Sequence, residues 1–180
     1  MCNRCACKRK TVIIYYSKTG FTERYARWLA QDLDCALFRY EERNKIDFRL
    51  YDVVIFGSWC HAGTIRKINW FRKQLPFWKG KKVAAFAVGA MPAGFAEIPE
   101  LLRRNFTGDV RAFYLPGGLN YEKMGSASRI MMKLFSSMMA KKQGKTQAEE
   151  EMARAIAQSY DLSDRGNLRP LTEYVGESNA

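Results

Sequence analysis

The chain has 180 residues, 47% of them hydrophobic and 13% aromatic, which suits one domain with a full core and excludes general disorder. Thirty basic residues against eighteen acidic ones leave a net charge of +12, which fits an anionic partner or a charge that simply keeps the protein soluble. No apolar run approaches the ~20 residues that span a bilayer and no signal-peptide core follows the start, which points to a cytoplasmic location.

Cys2, Cys5 and Cys7 crowd into the start of the chain, ahead of Lys8-Arg9-Lys10. A Cys-x-x-Cys-x-Cys run lacks the fourth ligand of a closed metal site. An odd total of five cysteines without an export signal argues against a disulfide framework. Residues 1–10 therefore read as a flexible basic tail and no metal is assigned. Thr11-Val12-Ile13-Ile14-Tyr15-Tyr16 reads as a buried strand. It runs into Ser17-Lys18-Thr19-Gly20-Phe21-Thr22, a hydroxyl-rich turn with one glycine, and the chain then becomes helical. Phe21, Tyr25, Ala26, Leu29, Ala30 and Leu33 fall on one stripe, with Glu23, Arg27 and Gln31 outside it. Ala36 to Tyr40 is a short strand whose Arg39 suggests a sheet edge.

Val53-Val54-Ile55-Phe56 has the continuous apolar character of a central strand covered on both faces. It leads into a loop, Gly57-Ser58-Trp59-Cys60-His61-Ala62-Gly63, and then a helix with Ile68, Phe71 and Leu75 inward. Lys82 to Val88 is the fourth strand, ending in Gly89-Ala90-Met91-Pro92-Ala93-Gly94. A helix over Ile98 to Asn105 precedes the fifth strand, Val110 to Leu115. Pro116-Gly117-Gly118 breaks the pattern. An amphipathic segment, Ser126 to Lys142, and a final helix, about Thr146 to Tyr160, follow. That last helix carries Ala148, Met152, Ala153, Ile156 and Ala157 on one face, and residues 166–180 read as a loose tail.

Alternating strands and helices predict an α/β, doubly wound, five-stranded parallel sheet in the order 2-1-3-4-5, filling residues 11–165 as one domain. Ligands of such sheets sit beyond the carboxyl ends of the strands, between strands 1 and 3. Loops 17–22, 57–63 and 89–94 converge there. The first makes an anion site: free backbone N–H groups, three hydroxyls and the positive end of a helix meet at one point. It is neither a Walker loop nor a Gly-x-Gly-x-x-Gly dinucleotide turn.

The order Ser-x-Thr-Gly-x-Thr over residues 17–22 resembles the phosphate loop of flavodoxins. Gly117-Gly118-Leu119-Asn120-Tyr121, the Ser126–Lys142 segment and Thr146-Gln147-Ala148-Glu149-Glu150 resemble the insert of the flavodoxin-domain family that includes the bacterial menaquinone-dependent protoporphyrinogen dehydrogenase. The resemblance implies a flavodoxin-like fold with a helical insert after strand 5, and FMN as cofactor. Its phosphate would rest on Ser17, Lys18, Thr19, Gly20, Phe21 and Thr22. Its ring would lie between Ser58, Trp59, Cys60, His61, Ala62 and Gly63 on one side and Gly89, Ala90 and Met91 on the other, with Gly118 and Leu119 beside it. Gly63 would let a peptide turn toward the reduced ring. Flavodoxins are usually acidic; this chain is not.

His61 is the lone histidine, and the site loops hold no paired carboxylates, so no catalytic residue is assigned. The expected function is an FMN-binding protein carrying electrons on a flavin. A quinone- or porphyrinogen-linked oxidoreductase using the same flavin is the alternative. Candidate partners are a redox protein, a quinone, and an anionic membrane touched through Met131, Leu134, Phe135 and Met138, with Lys133, Lys141 and Lys142 around them. Nucleic-acid binding without flavin rests on net charge alone, since no recognition helix or stacking pattern supports it.

Overall fold

A computed structural model describes residues 9–108, 110–141 and 156–177. The Cys2, Cys5 and Cys7 cluster and residues 146–155 of the expected last helix lie outside the described residues. β1 (Thr11–Tyr16) leads through α1 (Phe21–Leu33) to β2 (Ala36–Arg39), and β3 (Val53–His61) turns back as β4 (Thr64–Ile65) before α2 (Ile68–Gln74). β5 (Lys82–Gly89), α3 (Ile98–Asn105) and β6 (Arg111–Pro116) complete the sheet. β7 (Gly118–Leu119), α4 (Ser126–Lys141), β8 (Tyr160–Asp161) and α5 (Arg169–Gly176) follow.

The parallel path runs β2-β1-β3-β5-β6, with β4 attached antiparallel to β3. Once the hairpin strand is set aside, this is the doubly wound order that the sequence predicts. Alternate residues of each strand supply two separate cores, which is why the central strands are apolar throughout. Ile13, Ile55 and Phe86 pack with Tyr25 and Leu29 of α1 and with Leu171 and Val175 of α5. On the other face Val12, Val54 and Phe56 meet Ile68 and Phe71 of α2, Trp78 and Phe106. Arg39 is exposed on β2, as its edge position requires.

Three expectations are corrected. Residues 57–61 are not loop: β3 continues past Phe56, pairs with β1 as far as Ser58 and with β5 as far as Trp59, and then folds onto β4. A two-residue turn closes that hairpin, with Ala62 at φ 47° and Gly63 at φ 76°. The last predicted helix does not reach Tyr160, because Tyr160 and Asp161 form β8 against β7. The loose tail is replaced by α5, whose Leu171 is wholly buried. Leu168, Leu171 and Val175 have helical spacing, and Pro170 sits in the first turn of α5, where a missing N–H costs nothing.

The pairing of β7 with β8 pinches the insert at its base. Gly118 opposes Asp161 there, and a Cβ on Gly118 would stand 2.1 Å from the Tyr160 carbonyl oxygen, so only glycine allows the strands to approach. Among the described residues no helix is long and apolar enough to cross a membrane.

Candidate functional site

A cavity of about 400 Å³ opens beyond the carboxyl ends of β1, β3 and β5. Lys18, Thr19, Phe21 and Thr22 border it from the first turn, and Trp59, Cys60, His61, Ala62 and Gly63 from the hairpin. Gly89, Ala90, Met91, Gly118 and Leu119 close the far side, with Tyr114, Met124, Ser128 and Met132. Three of the sequence-predicted residues do not reach it. Ser58 is wholly buried and donates to the Arg66 carbonyl at 2.7 Å. Ser17 accepts the Gly20 N–H on Oγ at 3.2 Å and so closes the turn. Gly20 borders an adjoining open cleft of about 640 Å³, shared with Thr19, Arg24, Lys123 and Asp161.

The anion end is built locally. Gly20 holds φ +102°, a conformation open to glycine, and caps α1 with its backbone alone. The first N–H groups of α1 have no partner inside the helix. Thr22 is 1% exposed, and its Oγ1 is buried without a hydrogen-bond partner. Glu23, the acid of this first turn, is bound by Arg27 at 2.7 and 3.1 Å, which holds its carboxyl below the usual range and neutralises its charge. Sequence reasoning misses Lys123. Its N–H donates to Asn120 Oδ1 at 3.0 Å, and the resulting turn brings Nζ within 3.8 Å of where a Cβ on Gly20 would stand. Lys18 borders the cavity and lies 5.7 Å from the centre of the Trp59 ring.

The opposite wall is aromatic. Trp59 stacks on Tyr16 with centroids 6.5 Å apart and meets His61 edge-on at 5.6 Å. Its Nε1 is buried without a partner. The hairpin is held by Asn105 at the end of α3, which donates to the Gly63 carbonyl and accepts the Ile65 N–H, both at 2.9 Å. The loop after β5 is fixed through three consecutive carbonyls. Gly89 receives the Gly117 N–H at 2.7 Å, Ala90 the Tyr160 hydroxyl at 2.8 Å and Met91 the Tyr114 hydroxyl at 2.9 Å. Burial pushes the Tyr160 phenol up to about 12 and that of Tyr114 further still. Burial also raises the Cys60 thiol, which keeps it protonated and unsuited to nucleophilic attack.

α4 presents two faces. Ser128 and Met132 line the cavity, whereas Ile130, Leu134 and Met138 are exposed. The side chains of Met131 and Phe135, grouped with Leu134 and Met138 by the sequence, lie outside the described residues, as does Lys142.

A doubly wound parallel sheet with a hydroxyl-rich turn after its first strand and a cavity at the switch point defines a flavodoxin-like protein. The chain belongs to the flavodoxin-domain family, whose model matches residues 12–147. Similar solved structures include a flavoprotein from Lactobacillus acidophilus in complex with FMN, 18% identical with a TM-score of 0.44 over 60% of this chain and 92% of that one. A flavodoxin, WrbA-like protein from Agrobacterium tumefaciens is 16% identical with a TM-score of 0.43 over 83% and 96%. No curated protein matches the sequence.

Proposed function

We propose that the cavity holds FMN and that the protein carries electrons on it. One observation carries the reading: the buried, unpartnered Thr22 Oγ1 beside the amino end of α1. A lost hydrogen bond at a buried hydroxyl costs about 1–3 kcal/mol, and a phosphate oxygen at the helix end would satisfy it. Thr19 and Thr22 would donate to the phosphate, with the N–H groups of the turn and the ammonium of Lys123. Trp59 would cover one side of the ring, and the pinned 89–91 backbone would face its pyrimidine edge. Trp59 Nε1 would serve as a second donor toward the ligand. Bound there, FMN would supply reversible one- or two-electron chemistry, and the protein would contribute binding and exclusion of water.

The second reading is an oxidoreductase that passes electrons to a quinone, as in the protoporphyrinogen dehydrogenase that the insert resembles. Its support is the exposed Ile130, Leu134 and Met138 on the helix that lines the cavity, with Arg129, Lys133 and Lys141 exposed along the same helix. That face suits an anionic membrane surface.

The experiment is the absorption spectrum of the purified protein, followed by titration with FMN and riboflavin. A flavin spectrum or saturable FMN uptake at one per chain is expected, with riboflavin weaker because it lacks the phosphate. Colourless protein that takes up no FMN would overturn the reading. Quinone-dependent reoxidation of the reduced protein separates the oxidoreductase from the carrier.

A further inference from the structure

The carboxyl ends of β1, β2 and β3 carry a row of rings with cations over them. Trp59, which borders the cavity, stacks on Tyr16, and Tyr16 meets Tyr40 edge-on with centroids 5.6 Å apart. Lys18 and Arg66 each lie 5.7 Å from the Trp59 centroid. Lys67 lies 5.0 Å from both Tyr16 and Tyr40, and Arg43 lies 4.2 Å from Tyr40. Among the described residues none of these four cations pairs with a carboxylate. Arg24, Arg27, Arg103, Arg104, Arg165 and Arg169 all do. Lys67 reaches its place at φ +63°, a left-handed conformation, at the N-cap of α2.

We propose that this rim docks an acidic protein surface over the mouth of the cavity. Four like charges drawn together over half-buried rings repel one another until an anion arrives. Four cations shared among three adjoining rings call for several anionic groups, which a patch of carboxylates on a partner supplies. Aromatic side chains and arginine are also the residues that interface centres favour. A lipid surface fits less well, because the rings are packed edge to face at half-burial and have no protruding aliphatic neighbours to insert. That the partner exchanges electrons rests on the FMN reading; the docking itself does not.

The test uses the full chain and a fluorescently labelled acidic ferredoxin as probe. Association read by anisotropy should weaken about tenfold between roughly 50 and 300 mM salt. Arg66→Gln and Lys67→Gln should each weaken it about threefold, and Lys67→Glu further. Lys79→Gln, at the opposite end of the strands, should leave it unchanged. The FMN content of every variant is read separately. A colourless wild type that still binds the probe would defeat the flavin reading and spare the docking one. Absence of salt-dependent association, or equal loss with Lys79→Gln, would overturn the proposal. So would phosphatidylserine vesicles, or millimolar inorganic phosphate, proving to be what Arg66 and Lys67 bind in place of the probe.

Discussion

The turn over residues 17–22 and the two segments that face it across the cavity, 60–65 and 89–91, meet in one space but are held by different means. The turn is made by its own neighbours: Gly20 supplies the conformation, Ser17 closes it and Thr22 stands on the first turn of the helix that it opens. The facing segments are held from a distance. Asn105 reaches Gly63 across 42 positions, Tyr114 reaches Met91 across 23 and Tyr160 reaches Ala90 across 70. The turn therefore depends mainly on local backbone, and the facing segments on side chains brought from distant parts of the chain: Asn105, Tyr114 and Tyr160. A change in the periphery can retune the second while leaving the first intact.

Asn105→Leu should break this division most visibly. It strands the buried Ile65 N–H and frees the Gly63 carbonyl, so stability should fall by about 2–3 kcal/mol in urea unfolding. FMN affinity should fall with it, and riboflavin affinity equally, since the damage lies on the ring side. Thr22→Val tests the other end. It is nearly isosteric and removes a hydroxyl that has no partner in the protein, so unliganded stability should hold or rise. FMN affinity should drop by about tenfold or more, the equivalent of one hydrogen bond to a charged group, while riboflavin affinity stays the same. Equal loss for both ligands would show that Thr22 does not face the phosphate.

Tyr160→Phe should cost about 1 kcal/mol and alter the alkaline limb of the stability profile. Burial raises the folded-state value of this phenol to about 12 from an ordinary 10, so its neutral form is favoured by folding. That contribution is complete below pH 10 and is lost as pH rises from 10 toward 12. Urea midpoints for the wild type should decline through that window, and the decline should be shallower in the variant. The smallest effect belongs to Ala62→Gly. Ala62 holds φ +47°, which glycine adopts freely, so the hairpin should gain up to about 1 kcal/mol in the same assay.

The apolar run of β1, the stripe of α1 and the hydroxyls of 17–22 are short-range patterns, and the sheet order follows from their alternation with the later strands. The extension of β3 into a hairpin was hidden, because Gly57 and the polar mixture after it resemble a loop until the pairing with β4 is known. Asn105 looks like an ordinary helix end, and Tyr160 like the last turn of a helix. Lys123 had a local signal in the Asn120 turn, but its approach to Gly20 depends on how the chain re-enters after β7. α5 is obscured by Pro170 and by Gly166 and Gly176 around it, although Leu168, Leu171 and Val175 carry helical spacing.

Because Leu168, Leu171 and Val175 belong to the core shared with α1, the order of synthesis sets the order of closure. The face covered by α2 and α3 has all its strands and helices once residue 116 has left the ribosome. The opposite face lacks the helix that lies on α1 and β5 until α5 emerges some sixty residues later, a delay of about 3–12 s at ordinary elongation rates. Tyr25 joins the two stages: its hydroxyl donates to the Pro116 carbonyl at 2.6 Å and accepts the Asp164 N–H at 3.1 Å. During that interval the nascent chain presents a sheet covered in full on one face only, the state in which a chaperone would meet it.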